Sequence, residues 1–270
     1  MKIEDLFSLS NQIIIITGVK GNLGENYARF LLKNGAIVVG IDIVYENHLD
    51  SLKEDFPNTY HYYAVDLTQE KLLIQVAQRI INEVGIPKGL INNAALDSPP
   101  NDNGASTGPF EELSEKVWDK VIEVNLKSLV FTCKTFGSIM SKHGGGSIIN
   151  ISSIYGMLSP DQSLYQYKRD NNINFYKPIA YSASKAGVLN VTRYLATYWA
   201  EKNVRVNTLT PSGIFDNQDK QFLENYCGRI PIGRMANKEE FNGAIVFLLS
   251  QASSYMTGSN LVVDGGWTTI

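Results

Sequence analysis

The chain has 270 residues, 44% hydrophobic and 19% charged, with a net charge of −3. That length can bury one large core, and the scattered basic residues give no long-range attraction for nucleic acid or an anionic membrane, so neither is expected as a partner. Two cysteines and three histidines lie too far apart for a disulfide framework or a metal site, and Glu4 and Asp5 interrupt the apolar stretch a signal peptide needs, so a cytoplasmic protein without a metal is expected.

Residues 12–17 form a continuous apolar, β-branched run and predict a strand buried on both faces. The run leads into Gly18, Gly21, Asn22, Leu23 and Gly24, and then into a helical pattern over 25–35. In that context of strand, glycine-rich turn and helix, such glycines hold a dinucleotide pyrophosphate at a helix N-terminus. The next strand, 36–41, ends at Asp42, where a carboxylate can accept hydrogen bonds from an adenosine ribose and repel a 2′-phosphate. NAD is therefore expected over NADP, with Lys20 in the glycine loop the feature that pulls the other way. A strand-end cap is the plainer role open to Asp42.

A helix over 46–56 and a strand over 60–65 follow, and Asp66, Leu67 and Thr68 open a helix that runs to Val84. The strand over 89–95 places Asn92, Asn93 and Ala94 at its carboxyl end, the side on which open parallel sheets bind ligands. Residues 96–114 read as a loop across the strand ends. The long helix that follows, 114–142, carries Asn125 inside a run of good helix formers. Such a conflict marks either a functional amide or a core hydrogen bond.

The strand 147–153 ends in Ser152 and Ser153, and a further helix opens near residue 180 with Tyr181 and Lys185. A spacing of four puts phenol and ammonium on one face, where the cation favours the phenolate and makes a proton donor and acceptor; alone, the pair also occurs on ordinary amphipathic helices. The strand 203–211 ends at Pro211, with Gly213 and Ile214 just beyond. The polar stretch 212–235 reads as a mobile lid, and a helix at 238–251 and a strand at 261–263 close the chain. Strands alternate with helices throughout, which predicts an α/β fold: a single doubly wound Rossmann-type domain spanning 1–270, with about seven parallel strands and helices on both faces.

The set Thr17, Gly18, Gly24, Asp66, Asn92, Asn93, Asn125, Ser153, Tyr181, Lys185, Pro211, Gly213 and the closing Val263 and Asp264, in that order, resembles the single-domain short-chain dehydrogenases/reductases over nearly the whole chain. The resemblance implies that Tyr181 is the general acid/base, with Lys185 lowering its pKa and binding the nicotinamide ribose. It implies that Ser153 holds the reacting oxygen, Asn125 positions a proton-relaying water, Asp66 lies by the adenine and Asn92 stands beside the cofactor. The expected cofactor residues are thus Gly18, Gly21, Asn22, Leu23, Gly24, Asp42, Asp66, Leu67, Asn93, Ala94, Tyr181, Lys185, Pro211, Gly213 and Ile214. Asn22 and Ser212 stand where the family usually has glycine.

The stretch between Ser153 and Tyr181 is longer than in most of that family, an apparent insertion at about 155–178 rich in tyrosine and asparagine. Tyr155, Arg169 and Lys177 within it suit a small-molecule substrate that is sugar-like or a polyol and bears an anion; a subunit contact or a solvated loop is the plainer role open to the insertion. The pattern is also similar to bacterial oxidoreductases of surface-polysaccharide and nonulosonic-acid sugar pathways. Family members are commonly tetramers, so a homo-oligomer, dimer or tetramer, is expected. Two rival readings share the fold: an NADPH-dependent 3-oxoacyl thioester reductase and a nucleotide-sensing protein without turnover.

Overall fold

The apolar β-branched runs become seven parallel strands: β1 Ile13–Thr17, β2 Ile37–Asp42, β3 Tyr60–Ala64, β4 Gly89–Asn92, β5 Gly146–Ile151, β6 Val204–Pro211 and β7 Asn260–Val263. The computed structural model describes residues 2–44, 49–97 and 107–270. Strand order is β3-β2-β1-β4-β5-β6-β7. The direction of winding therefore reverses between β1 and β4, where Thr17 stands opposite Asn92, and a crevice opens beyond those carboxyl ends.

Alternation along β1 decides what each sheet face buries. Ile14 and Ile16 join Leu31, Val38, Ile91, Phe241 and Ile245 on one side, beneath the helices Asn22–Lys33 and Asn242–Leu249. Ile15 joins Val39, Leu90, Ile148 and Val206 on the other, beneath the helix Glu70–Glu83, the long helix and the helix Ile179–Tyr198. Helices thus cover both faces, as expected of a doubly wound sheet.

The long helix runs through five abutting segments, Glu115–Ile122, Glu123–Lys127, Ser128–Thr132, Cys133–Gly137 and Ser138–Lys142, the second and fourth with π winding. Asn125 sits in the first π segment and is buried. Extra residues per turn re-aim side chains, and such bulges recur at functional sites.

Two expectations change. The segment read as a mobile lid contains a helix, Lys220–Cys227, started by Asp219, whose carboxylate accepts from Phe222 N at 2.8 Å. The insertion folds as well, through the helices Gln162–Tyr165 and Gln166–Asp170. The two segments then pack on each other: Tyr165 lies 4.8 Å from Phe175 and 5.7 Å from Phe222, ring centre to ring centre. Tyr226 stacks on Trp267 at 4.4 Å, Arg229 pairs with Asp161, and Tyr167 donates to Asp219 at 2.5 Å. Burying several aromatic rings, at about 2–3 kcal/mol each, outweighs the polar composition that suggested mobility. The helix expected at 46–56 is Asp50–Asp55, with 45–48 outside the described residues, as are residues 98–106 of the strand-end loop.

Candidate active site

The glycine loop is shaped by contacts that only glycine permits. Gly18 has φ +68°, and a Cβ there would stand 2.7 Å from the Ala94 Cα; one on Gly24 would stand 2.1 Å from the Gly18 carbonyl oxygen. The helix Asn22–Lys33 begins here without a side-chain cap, leaving its first N–H groups for a ligand. Gly18, Gly21, Asn22, Leu23 and Asp42, with Asp66, Leu67, Asn93 and Ala94 opposite, line a cavity of about 450 Å3.

Asp42 closes one end. Its Oδ2 accepts from Lys20 N at 3.1 Å and its Oδ1 from Ile43 N at 2.8 Å, which fixes the carboxylate at the cavity wall. Asp66 accepts from Thr68 N at 2.9 Å and from the Thr68 hydroxyl at 2.7 Å, and so starts the following turn. These features fit a dinucleotide: an uncapped helix start for its phosphates, a close-packed glycine turn beneath them and a fixed carboxylate for a ribose. Asn93 closes the loop from behind, donating to the Thr17 and Gly18 carbonyls at 3.2 and 3.1 Å.

Asn92, expected beside the cofactor, is instead buried. It donates to Asn150 Oδ1 at 2.8 Å and accepts from the Thr132 hydroxyl at 2.6 Å, because strand alternation points it under the sheet toward the long helix.

A second cavity of about 330 Å3 adjoins the first, sharing Asn22, Leu23 and Asn93 in its lining. Ser153, Tyr155, Tyr181 and Lys185 converge on it, with Pro211, Gly213 and Ile214 on the side of β6. The Tyr181 phenol stands beside the Ser153 hydroxyl. Lys185 lies 5.7 Å from the Tyr181 ring centre and donates to the Ile151 carbonyl at 2.9 Å. Gly213 N donates to the Tyr226 hydroxyl at 2.9 Å, tying the end of β6 to the helix Lys220–Cys227.

The expected lowering of the Tyr181 pKa by Lys185 is not what this environment gives. Burial, followed by the Asp97 carboxylate, pushes the phenol well above its ordinary 10, and the neighbouring Ser153 hydroxyl pulls the other way. Burial also brings the Lys185 ammonium down to about 8, which leaves it a cation at neutral pH.

Asn125 reaches its place from the π segment. Its Oδ1 accepts from Leu96 N at 2.7 Å, and its amide donates to the Leu96 carbonyl at 2.9 Å and the Ser184 hydroxyl at 3.1 Å. The amide thus clamps the loop after β4 to the helix that carries Tyr181.

The insertion residues divide. Tyr155 and Lys177 line the second cavity; Arg169 does not. Its guanidinium donates to the Phe175 and Gln162 carbonyls at 2.9 and 2.7 Å and lies over the Tyr176 ring, so it holds the insertion together. The Tyr155 Oη is buried without a hydrogen-bond partner of good geometry, although the Tyr165 phenol stands beside it. Sequence reasoning missed Asp97, which lines the cavity and meets Lys177 Nζ at 2.5 Å. No short-range motif flags an acid in a loop. Among the described residues, no cluster could hold a metal and no helix is long and apolar enough to cross a membrane.

Comparison with known proteins agrees with this geometry. A family model described as enoyl-(acyl carrier protein) reductase matches residues 18–268. The chain is 30% identical to an NAD-dependent glycerol dehydrogenase of Listeria innocua, over 97% of this chain and 96% of that one. It is 32% identical to a 2-dehydro-3-deoxy-D-gluconate 5-dehydrogenase of Escherichia coli, over 97% of each. A short chain dehydrogenase from Leptospira borgpetersenii, solved with bound NAD+, superposes with a TM-score of 0.86 at 30% identity, over 99% of this chain and 97% of that one. The chain belongs to the short-chain dehydrogenase/reductase family and is an oxidoreductase of alcohol and carbonyl groups that uses a nicotinamide cofactor.

Proposed function

We propose that this enzyme interconverts a secondary alcohol and a carbonyl on a small polyhydroxylated substrate, a sugar or polyol, with NAD(H) as cofactor. The observation that carries the reading is the meeting of two cavities. Asp42 closes one, and Ser153, Tyr181 and Lys185 converge on the other. The fixed Asp42 carboxylate favours a free 2′-hydroxyl over a 2′-phosphate. Phenols of Tyr155, Tyr165 and Tyr226, with Asp97, Gln218 and Lys177, give the second cavity the mixed donors and acceptors that hydroxyl-rich molecules need. Two relatives carry the names of a glycerol dehydrogenase and a 2-dehydro-3-deoxy-D-gluconate dehydrogenase, one for a polyol and one for a sugar acid.

The bound cofactor supplies or accepts the hydride. In reduction, the Tyr181 Oη gives its proton to the carbonyl oxygen. In oxidation the same oxygen acts as the phenolate, its own proton having first passed to solvent, and takes the proton of the substrate hydroxyl. Ser153 would hold the reacting oxygen, and Lys185, anchored by the Ile151 carbonyl, would hold the cofactor ribose. Asn125 is a positioning residue, holding the Tyr181 helix against the loop after β4. The insertion and the 212–235 segment act as one roof over the substrate, joined by their aromatic cluster. The exposed, stacked rings of Tyr194 and Tyr198 offer a face for a homo-oligomer. The narrower placement in surface-polysaccharide or nonulosonic-acid sugar pathways, in the cytoplasm, rests on the sequence pattern alone.

The description of the matching family model favours a second reading, reduction of a thioester-bound acyl chain. One assay separates the two. Purified protein is offered sugars, polyols, ketoses and acetoacetyl thioesters with NADH or NADPH, or their oxidised forms. Turnover of a carbohydrate class with NAD(H) supports the reading, and turnover only of the thioester with NADPH replaces it.

A further inference from the structure

The described cations of the insertion are already engaged. Arg169 serves the Phe175 and Gln162 carbonyls, and Lys168 lies over the Phe175 ring at 4.8 Å. Lys177 alone of the three reaches the second cavity, where its ammonium meets Asp97 Oδ1 at 2.5 Å. The lysine side chain is 4% exposed and the aspartate 46%, so the carboxylate is the partner that meets an entering molecule. Backbone bonds fix the lysine: Lys177 N donates to Gln162 Oε1 at 2.9 Å, and Gln162 Nε2 donates back to the Lys177 carbonyl at 2.9 Å. The ammonium sits 5.2 Å from the Tyr181 ring centre, which places the pair within reach of atoms next to the reacting carbon.

Charge in this cavity does not favour an anion. Its described lining carries Asp97 and Asp216 against Lys177 and Lys185, and Lys185 is turned to the Ile151 carbonyl. A substrate carboxylate or phosphate near the pair would be repelled by Asp97 about as strongly as Lys177 attracts it, and would lose its hydration as well. Adjacent hydroxyls meet no such conflict: one donates to the Asp97 carboxylate while its neighbour accepts from the Lys177 ammonium.

Resting on the oxidoreductase reading above, we propose that the Asp97–Lys177 pair sets substrate specificity, selecting an uncharged polyhydroxylated substrate, an alditol or its ketose, over one that bears a carboxylate or phosphate next to the reacting carbon. This differs from the anion expected from the insertion's cations: Arg169 lies outside the cavity, and Lys177 is matched by a carboxylate.

The test compares alditols with aldonates of the same chain length, three to six carbons, by kcat/KM with NAD+ and by calorimetric titration of the NADH-bound protein. Wild type should favour the alditol by at least about tenfold. Asp97→Asn, which removes one negative charge beside Lys177, should shift the ratio toward the aldonate by about tenfold. Lys177→Met should lower alditol kcat/KM by about tenfold with no gain for the aldonate, which keeps the proposal open to test if the first variant fails to fold. Preference of wild type for the aldonate, or an unmoved ratio in a folded Asp97→Asn protein, overturns the proposal. Retained NADH fluorescence binding with neither class turned over or bound overturns it while sparing the cofactor assignment, whereas loss of NADH binding by wild type counts against the functional reading itself.

Discussion

Replacing Asp42 with serine should convert a selective cofactor site into an indifferent one. The carboxylate is held at the cavity wall by two backbone donors, Lys20 N at 3.1 Å and Ile43 N at 2.8 Å, so it cannot swing away from an approaching phosphate. A 2′-phosphate with nearly two charges at about 5 Å, in an effective dielectric of about 40, would be repelled by roughly 3 kcal/mol, and salt reduces this to about 2 kcal/mol. Wild type should therefore bind NADH about 30-fold more tightly than NADPH in a fluorescence titration. Asp42→Ser loses both the repulsion and the charge-assisted bonds to ribose, the latter costing about 1.5 kcal/mol. NADH affinity should fall about tenfold while NADPH affinity rises, bringing the two within about threefold of each other. Tighter NADPH binding by wild type, or a ratio that Asp42→Ser leaves unchanged, would refute the role given to this carboxylate.

Burial of Lys185 should be visible in stability against pH. Folding lowers its pKa from 10.5 to about 8, so between those values the unfolded chain holds more protons and stability rises with pH. Relative to Lys185→Met, wild type should gain on the order of 2 kcal/mol in denaturant unfolding between pH 8 and pH 10, with no such gain below pH 8; a flat difference would contradict the burial argument. Arg169→Ala should act on the insertion rather than on substrate. Removing hydrogen bonds from a charged donor to two carbonyls should cost about 2 kcal/mol and lower the Tm by a few degrees. Substrate KM should stay within about twofold, and a large rise in KM without loss of stability would return Arg169 to the pocket.

The glycine loop and the strands were legible because their signals are local: a β-branched run for a two-faced strand, and glycines at positions that tolerate no Cβ. Asn125 stood out as a poor helix former, and the π segment around it supplies the reason, although periodicity alone did not reveal the extra winding. The insertion was harder. Its richness in tyrosine reads as a surface for substrate, yet Tyr165 and its neighbour Phe175 are buried against Phe222 and Tyr226 from a segment far along the chain. Arg169 carries the charge expected of an anion site, but where a long side chain ends depends on which carbonyls the fold brings near it. Asp97 and Lys177 are 80 residues apart, so nothing in either neighbourhood signals that one neutralises the other beside Tyr181. Burial around Tyr181 was hidden for a related reason. Spacing places Lys185 near the phenol, but burial outweighs one cation that is itself buried.

The most direct test of the account is hydride transfer by Tyr181→Phe beside wild type, followed by NADH fluorescence on a substrate that wild type turns over. The variant should bind NADH as wild type does, since the ring stays and the phosphate-binding loop is untouched, while kcat falls by about 10²–10⁴-fold with the loss of the proton donor. A variant that turns over within about threefold of wild type would contradict the assignment of proton transfer to this tyrosine, and with it the placement of the reaction in the second cavity.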